Sequence, residues 1–288
     1  MILSSLYEEV YTTPKPGLVD VVDTGAHKDM DVHTFEKSAR VITPYLTRMF
    51  QVGARSQCTP GQLLDQIRPI GMEAETAMLR ETSGVNTHKG AIYSLGIVVT
   101  AVGYCLNMRL GSDIATVFDT VSEMTAEDSN KYFQTINQNT ASSYGDFLYL
   151  RYGEKGVRGE AMLGYPLARK ISLPMALHYQ KIQLDKNIAN INILLAIASQ
   201  LCDTNILHRS SYNELEWFQW RAKAILDMGG AETACGMREI IKLNEECINR
   251  NISPGGAADY LILTIFLRKL CSEEGIFHCD YSCSSSMD

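Results

Sequence analysis

Between residues 83 and 90 the chain reads Ser83-Gly84-Val85-Asn86-Thr87-His88-Lys89-Gly90, a short turn that sets hydrogen-bond donors, a proton carrier and a cation between glycines. An uninterrupted apolar segment follows at once and lasts to about Met108. If that segment is a buried helix, the turn lies at its N-terminus, where unpaired N–H groups and the helix dipole favour an anion. Gly84 and Gly90 would let backbone approach a phosphate, and Lys89 would add a point charge. The glycine spacing and the missing Lys-Ser/Thr pair exclude a P-loop. The plainer reading is an N-cap, Asn86 or Thr87, ahead of a core helix. Residues 83–90 alone suit either.

Other polar clusters interrupt apolar stretches: Lys15 with Asp20, His27-Lys28-Asp29, Arg158 with Glu160, and Asp203 to Arg209, which includes Asn205. Each has an ordinary structural reading, such as a cap for Asp20 or Asp203 and a satisfied core histidine for His27. Asp259 differs, because it follows Gly255-Gly256-Ala257-Ala258 and precedes an apolar helical run. A carboxylate there is costly to bury unless it is paired or bound to a metal. Together these carboxylates, cations and glycines suit a nucleotide polyphosphate held by Lys/Arg and a divalent ion. The oxygen donors, with no His/Cys ligand cluster, favour Mg²⁺ over zinc.

The elements that must position these groups read as helices almost throughout. Apolar stripes of helical period include Leu3-Leu6-Tyr7-Val10 and Phe35-Ala39-Ile42-Leu46, with Pro44 a kink candidate. Pro60-Gly61 opens another helix, which Pro69 interrupts before it resumes up to residue 83. Further helices run from Asp113 to about Glu127, Ile188 to Ala198, Asn213 to Met228 and Ala231 to Asn249. The last opens at an N-cap in Ser253-Pro254 and ends near Leu270. Only residues 17–22 read as extended. The glycine-rich stretch 142–164 reads as a flap over a polar ligand, or else as a solvated connector. With no repeat and no low-complexity linker, a single large all-α domain over residues 1–270 is expected, with 1–150 and 151–270 as two closely packed lobes at most. Residues 271–288 are expected to be a disordered tail.

A net charge of −7 argues against a broad basic nucleic-acid face, so any phosphate site must be local. The eight cysteines are scattered without a Cys-x-x-Cys pair, which reads as free thiols in a reducing cytoplasm. His278 with Cys279 and Cys283 is only a weak metal signal. The N-terminus lacks a basic region and is no secretory signal. Ala91 to Met108 approaches a membrane-spanning length but contains Ser94, Thr100 and Asn107, so a buried core helix is expected and no membrane partner.

The motifs carry a resemblance. Glu9-Val10, Thr13 to Asp20, Gly25-Ala26-His27-Lys28-Asp29-Met30, Gly84 to Gly90, Arg158-Gly159-Glu160-Ala161, Asp203-Thr204-Asn205 and Ser253 to Asp259 stand in an order similar to that of the triphosphoribosyl-dephospho-CoA synthase family. Asp23 departs from it, standing where the family more often carries asparagine. The resemblance implies an all-helical transferase that joins ATP to 3′-dephospho-CoA and releases adenine. Its product would be a prosthetic-group precursor, placed by a separate transferase on the acyl-carrier subunit of citrate lyase or malonate decarboxylase. On this reading Lys15, Lys89 and Arg158 hold phosphates, and Asp20, Asn86, Thr87, Asn205 and Arg209 also contact substrate. Asp29, Asp203 and Asp259 serve as Mg²⁺ ligands or base, Glu160 as a base that engages on closure, and His88 or His27 protonates adenine. Glu75 is a weaker carboxylate candidate. Two competing readings use the same residues: a Mg²⁺-dependent N-glycosyl hydrolase of nucleotides, and a non-catalytic nucleotide-binding regulator. The large helical surface is compatible with a homodimer.

Overall fold

The apolar segment after the 83–90 turn is a helix, α4 (Lys89–Met108), and the other elements pack around it. Fourteen of its twenty residues are buried, which identifies it as a core helix although its length and hydropathy would also pass for a membrane span. The computed structural model describes residues 1–272 and 276–279, and among them it contains helices and no named strand. Ahead of α4 come α1 (Ile2–Tyr11), α2 (Val32–Arg55) and α3 (Pro60–Glu81). After it come α5 (Ile114–Thr135), α6 (Tyr144–Tyr152), α7 (Gly156–Met162), α8 (Leu173–Lys181) and α9 (Lys186–Ala198). The chain closes with α10 (Thr204–Arg209), α11 (Tyr212–Asp227), α12 (Ala234–Arg250) and α13 (Gly255–Ser272). Residues from both halves of the chain join one core, so the all-α expectation holds.

Two glycines bring α2 and α4 into backbone contact. A Cβ on Gly53 would sit 2.0 Å from the Thr100 carbonyl oxygen, and one on Gly103 would sit 2.4 Å from that of Phe50. The helices run parallel, since Ser38 meets His88 near their N-terminal ends and Met49 meets Thr100 further along. The ends of α2 and α4 that bear polar residues therefore lie side by side.

Three sequence expectations are corrected. Pro69 does not interrupt α3, because buried Ile67, Ile70, Ala74, Ala77 and Met78 hold one apolar face across it. Ile67, Ile70 and Met78 each contribute about 1.5–3 kcal/mol by burial, which together exceeds the cost of one mid-helix proline. The 142–164 stretch is not a loop-like flap but forms α6 and α7. Three of its glycines, Gly153, Gly156 and Gly164, stand at helix boundaries with positive φ. The C-terminal end of α7 docks on α5, with Ser122 Oγ donating to the Met162 carbonyl over 2.7 Å. Residues 276–279, expected in the tail, pack on the body instead: Phe277 is fully buried and the Ile114 N–H donates to the His278 carbonyl at 3.0 Å. Residues 273–275 and 280–288, including Cys283, lie outside the described residues. Cys58, Cys105, Cys202, Cys235, Cys247 and Cys271 are free thiols.

Candidate active site

The N-terminal ends of α4, α10 and α13 converge, and two aspartates tie them together. Asp203 caps α10 through Asn205 N–H at 2.9 Å, and its second oxygen accepts from Ala257 N–H in the first turn of α13 at 2.9 Å. Ser253 was the expected cap of α13, but its hydroxyl instead meets His27 Nε2 at 2.8 Å. From α13, Asp259 reaches the start of α4, where the Ala91 N–H stabilises its carboxylate. Gly90 makes the approach possible, since a Cβ there would sit 1.9 Å from Asp259 Oδ2. The anion at the α4 N-terminus is thus supplied by the chain itself.

In front of this junction lies a cavity of about 360 Å³. The 15–30 loop contributes Lys15, His27 and Asp29, and α1 contributes Glu9. Asn86, Thr87, His88 and Lys89 come from the turn, Asn205, His208 and Arg209 from α10, and Asp259 from α13. Lys15 and Glu9 form a buried ion pair on the floor, and Lys15 Nζ also donates to the Glu9 carbonyl at 2.9 Å. Burial pushes the Glu9 carboxyl above its usual range despite the Lys15 ammonium. Asp259 is raised further, by burial and then by the charges of Asp203 and Glu9. At the rim Lys89 pairs with Glu75 at 2.5 Å, and Arg209 donates to the Ala26 carbonyl at 2.5 Å and to Asn251 Oδ1 at 2.6 Å.

His88 sits at the end of a hydroxyl chain: Thr87 Oγ1 donates to Ser38 Oγ at 2.7 Å, and Ser38 Oγ lies 2.6 Å from His88 Nδ1. When Ser38 donates to Nδ1, the imidazole proton sits on Nε2, which is buried with no partner among the described residues. Burial and the Lys15 charge hold the His88 pKa at about 3, so the ring is neutral at physiological pH. In that form it acts as a neutral hydrogen-bond donor rather than as the cationic acid anticipated from sequence. His27 is likewise lowered, by burial and then by Arg209.

Of the other expected site residues, four do not line the cavity. Asp20 organises the 13–23 loop, accepting from Thr13 Oγ1 and the N–H groups of Lys15, Val22 and Asp23. Asp203 is occupied by its two helix caps, with burial raising its pKa against those backbone donors. Arg158 stacks over Tyr132, 4.2 Å from the ring centroid, and lies 3.6 Å from Asp128. Glu160, its pKa raised by burial, accepts from the Tyr260 hydroxyl, so it abuts the junction through the neighbour of Asp259 rather than facing the cavity. Conversely, sequence reasoning passed over Glu9 and Ser38 as site residues. A glutamate beside Leu6 and Val10 on the apolar stripe of α1 was the available signal for Glu9. Nothing local marks Ser38.

No group of three or more His, Cys, Asp or Glu side chains is gathered to hold a metal among the described residues. Asp29 and Asp259 bound the cavity separately, and Asp203 is taken up by its caps. Such sparse oxygen donors suit a hard cation that arrives coordinated mostly by phosphate oxygens and water.

The family model CitG, described as ATP:dephospho-CoA triphosphoribosyl transferase, matches residues 1–276. The chain belongs to this family. A solved structure from Archaeoglobus fulgidus, provisionally assigned as a triphosphoribosyl-dephospho-CoA synthase, is 16% identical; the match covers 80% of this chain and 96% of that one at a TM-score of 0.47. As a member of the CitG family the chain is a transferase with ATP and dephospho-CoA as substrates. Replacing Lys89 with alanine is expected to raise KM for ATP about 5- to 10-fold, as a partly exposed charge–phosphate contact of about 1 kcal/mol would. Helix content by circular dichroism should not change, since the Lys89 side chain is 60% exposed. An unchanged KM would remove Lys89 from the phosphate site.

Proposed function

We propose that ATP binds with its triphosphate along the Lys89–Arg209 rim and its ribose over Asp259, and that the 2′-hydroxyl of 3′-dephospho-CoA displaces adenine. The N-glycosidic bond of ATP breaks, a bond forms between the 2′-oxygen and the anomeric carbon, and the hydroxyl proton finally leaves with adenine. The product, 2′-(5″-triphosphoribosyl)-3′-dephospho-CoA, would be the prosthetic-group precursor for the acyl carrier of citrate lyase or malonate decarboxylase, attached by a separate transferase in the cytoplasm.

The observation that carries this reading is Asp259. It is a carboxylate with no cationic partner, aimed into a cavity rimmed by cations and helix N-termini. A raised pKa makes it a better base than an ordinary aspartate for the 2′-hydroxyl. Its carboxylate beside the ribose also stabilises developing positive charge at the anomeric carbon, as carboxylates do in glycosyl transfer. His88 Nε2–H donates to the departing base, and the Ser38–Thr87 relay holds that donor in place. Mg²⁺ would supply charge neutralisation of the retained triphosphate, with Asp29 at the rim as its protein ligand.

The test is chromatographic measurement of adenine released from ATP and Mg²⁺, with and without 3′-dephospho-CoA. Release that depends on dephospho-CoA, with a matching gain in mass of the CoA product, is expected. Release without it would identify a hydrolase, and no release under either condition would leave a binding protein.

A further inference from the structure

Away from the catalytic cavity, a second cavity of about 530 Å³ opens between α8, α9 and α13. Its inner wall includes Arg268, a side chain 5% exposed. The Arg268 guanidinium donates from Nη2 to Glu8 Oε1 at 2.7 Å, and among the described residues its buried Nε has no partner. Glu8 is shared, since its Oε2 also pairs with Lys269 Nζ at 3.0 Å. One carboxylate therefore answers two buried cations, and a positive charge is left over in the wall. Lys186 adds another cation at the mouth, and Gln180 and Gln183 add amide donors. The nearby acid, Asp185, is committed to capping α9 through the N–H groups of Asn187 and Ile188. Ala176 and Ala189 keep the space open.

We propose that this cavity is a binding site for a small metabolite bearing a carboxylate or phosphate, seated on Arg268 and Lys186. The guanidinium fork is suited to a planar or tetrahedral oxyanion, and a buried donor without a partner carries the cost of lost hydration until a ligand restores its bond. The glutamine amides would contact the rest of the ligand. The site is linked to the catalytic cavity by α1, which sends Glu8 to Arg268 and the next residue, Glu9, to the cavity floor. An anion bound here competes with Glu8 for the guanidinium.

Calorimetric titration with inorganic phosphate, and separately with succinate, tests the site on protein whose catalytic cavity is saturated with ATP. ATP saturation is established first, by its own titration, so that failure of the catalytic assignment is visible separately. At least one probe is expected to bind saturably with one equivalent. Its affinity should fall about tenfold in Arg268→Lys, which keeps the ion pair but removes the fork, and at least threefold in Lys186→Met and Gln180→Leu, whose side chains are exposed. A phosphate preference assigns a phosphoryl ligand and a succinate preference a carboxylate one. No saturable binding of either probe, or binding that none of the three substitutions alters, overturns the proposal.

Discussion

Asp259→Asn is expected to reduce kcat by about 10²–10³-fold, the range of a lost general base together with lost charge stabilisation. Asparagine has nearly the volume of aspartate and keeps an oxygen to accept from Ala91 N–H, so the junction of α4 and α13 should survive. Stability should move the other way. The folded-state pKa of Asp259 is raised above its unfolded value of 3.8, so wild-type stability is fully present below that value and is lost as pH rises through the folded pKa. Asparagine does not titrate, so Asp259→Asn should melt above wild type at pH 8, the difference shrinking toward pH 4. In wild type the acid limb of kcat against pH should lie above the ordinary aspartate range, and the variant should lack it. Paired pH–rate and thermal-melt series on the two proteins make the comparison. A variant that keeps a third of wild-type kcat would dismiss Asp259 as the base.

Lys15→Met should have the largest effect on stability. It strands Glu9 as a buried, unpaired carboxylate beside Asp259, a change expected to cost about 3–5 kcal/mol near pH 8 in denaturant unfolding. With its cation gone, Glu9 is raised further above its unfolded value of 4.5. The damage should therefore be complete at high pH and diminish as pH falls through that raised value. The double variant Glu9→Gln/Lys15→Met should recover most of the loss, because no charge remains to be buried. A loss of about 1 kcal/mol or less, typical of a surface pair, would show that the two groups are solvated.

Helical period made most of the fold legible, because stripes such as Leu6-Val10 and Ala39-Ile42-Leu46 are buried faces. Misreadings arose where a residue's local preference was set aside by its surroundings. Pro69 is carried by the packed face of α3, and the glycines of 142–164 punctuate short helices instead of loosening a flap. At the site, residues 86–89, Asp259, Asn205, Arg209, His27 and Asp29 do come together. Asp203 could not be read as a double cap, because its second donor lies in a helix 54 residues away. The Ser38–Thr87–His88 relay is a tertiary accident of two parallel helices, and burial removes from His88 the titration that its residue type suggests.

The backbone contacts of Gly53 and Gly103 lie some four turns along from Ser38 and His88, yet belong to the same two helices. Seams of this kind act as a vernier: they fix how far α2 can slide or rotate against α4, and so set the spacing of the relay at the far end. A methyl group added at either glycine would be felt as an imidazole out of alignment. The accuracy of the catalytic geometry is therefore decided partly in the apolar interior, at positions that carry no chemistry of their own.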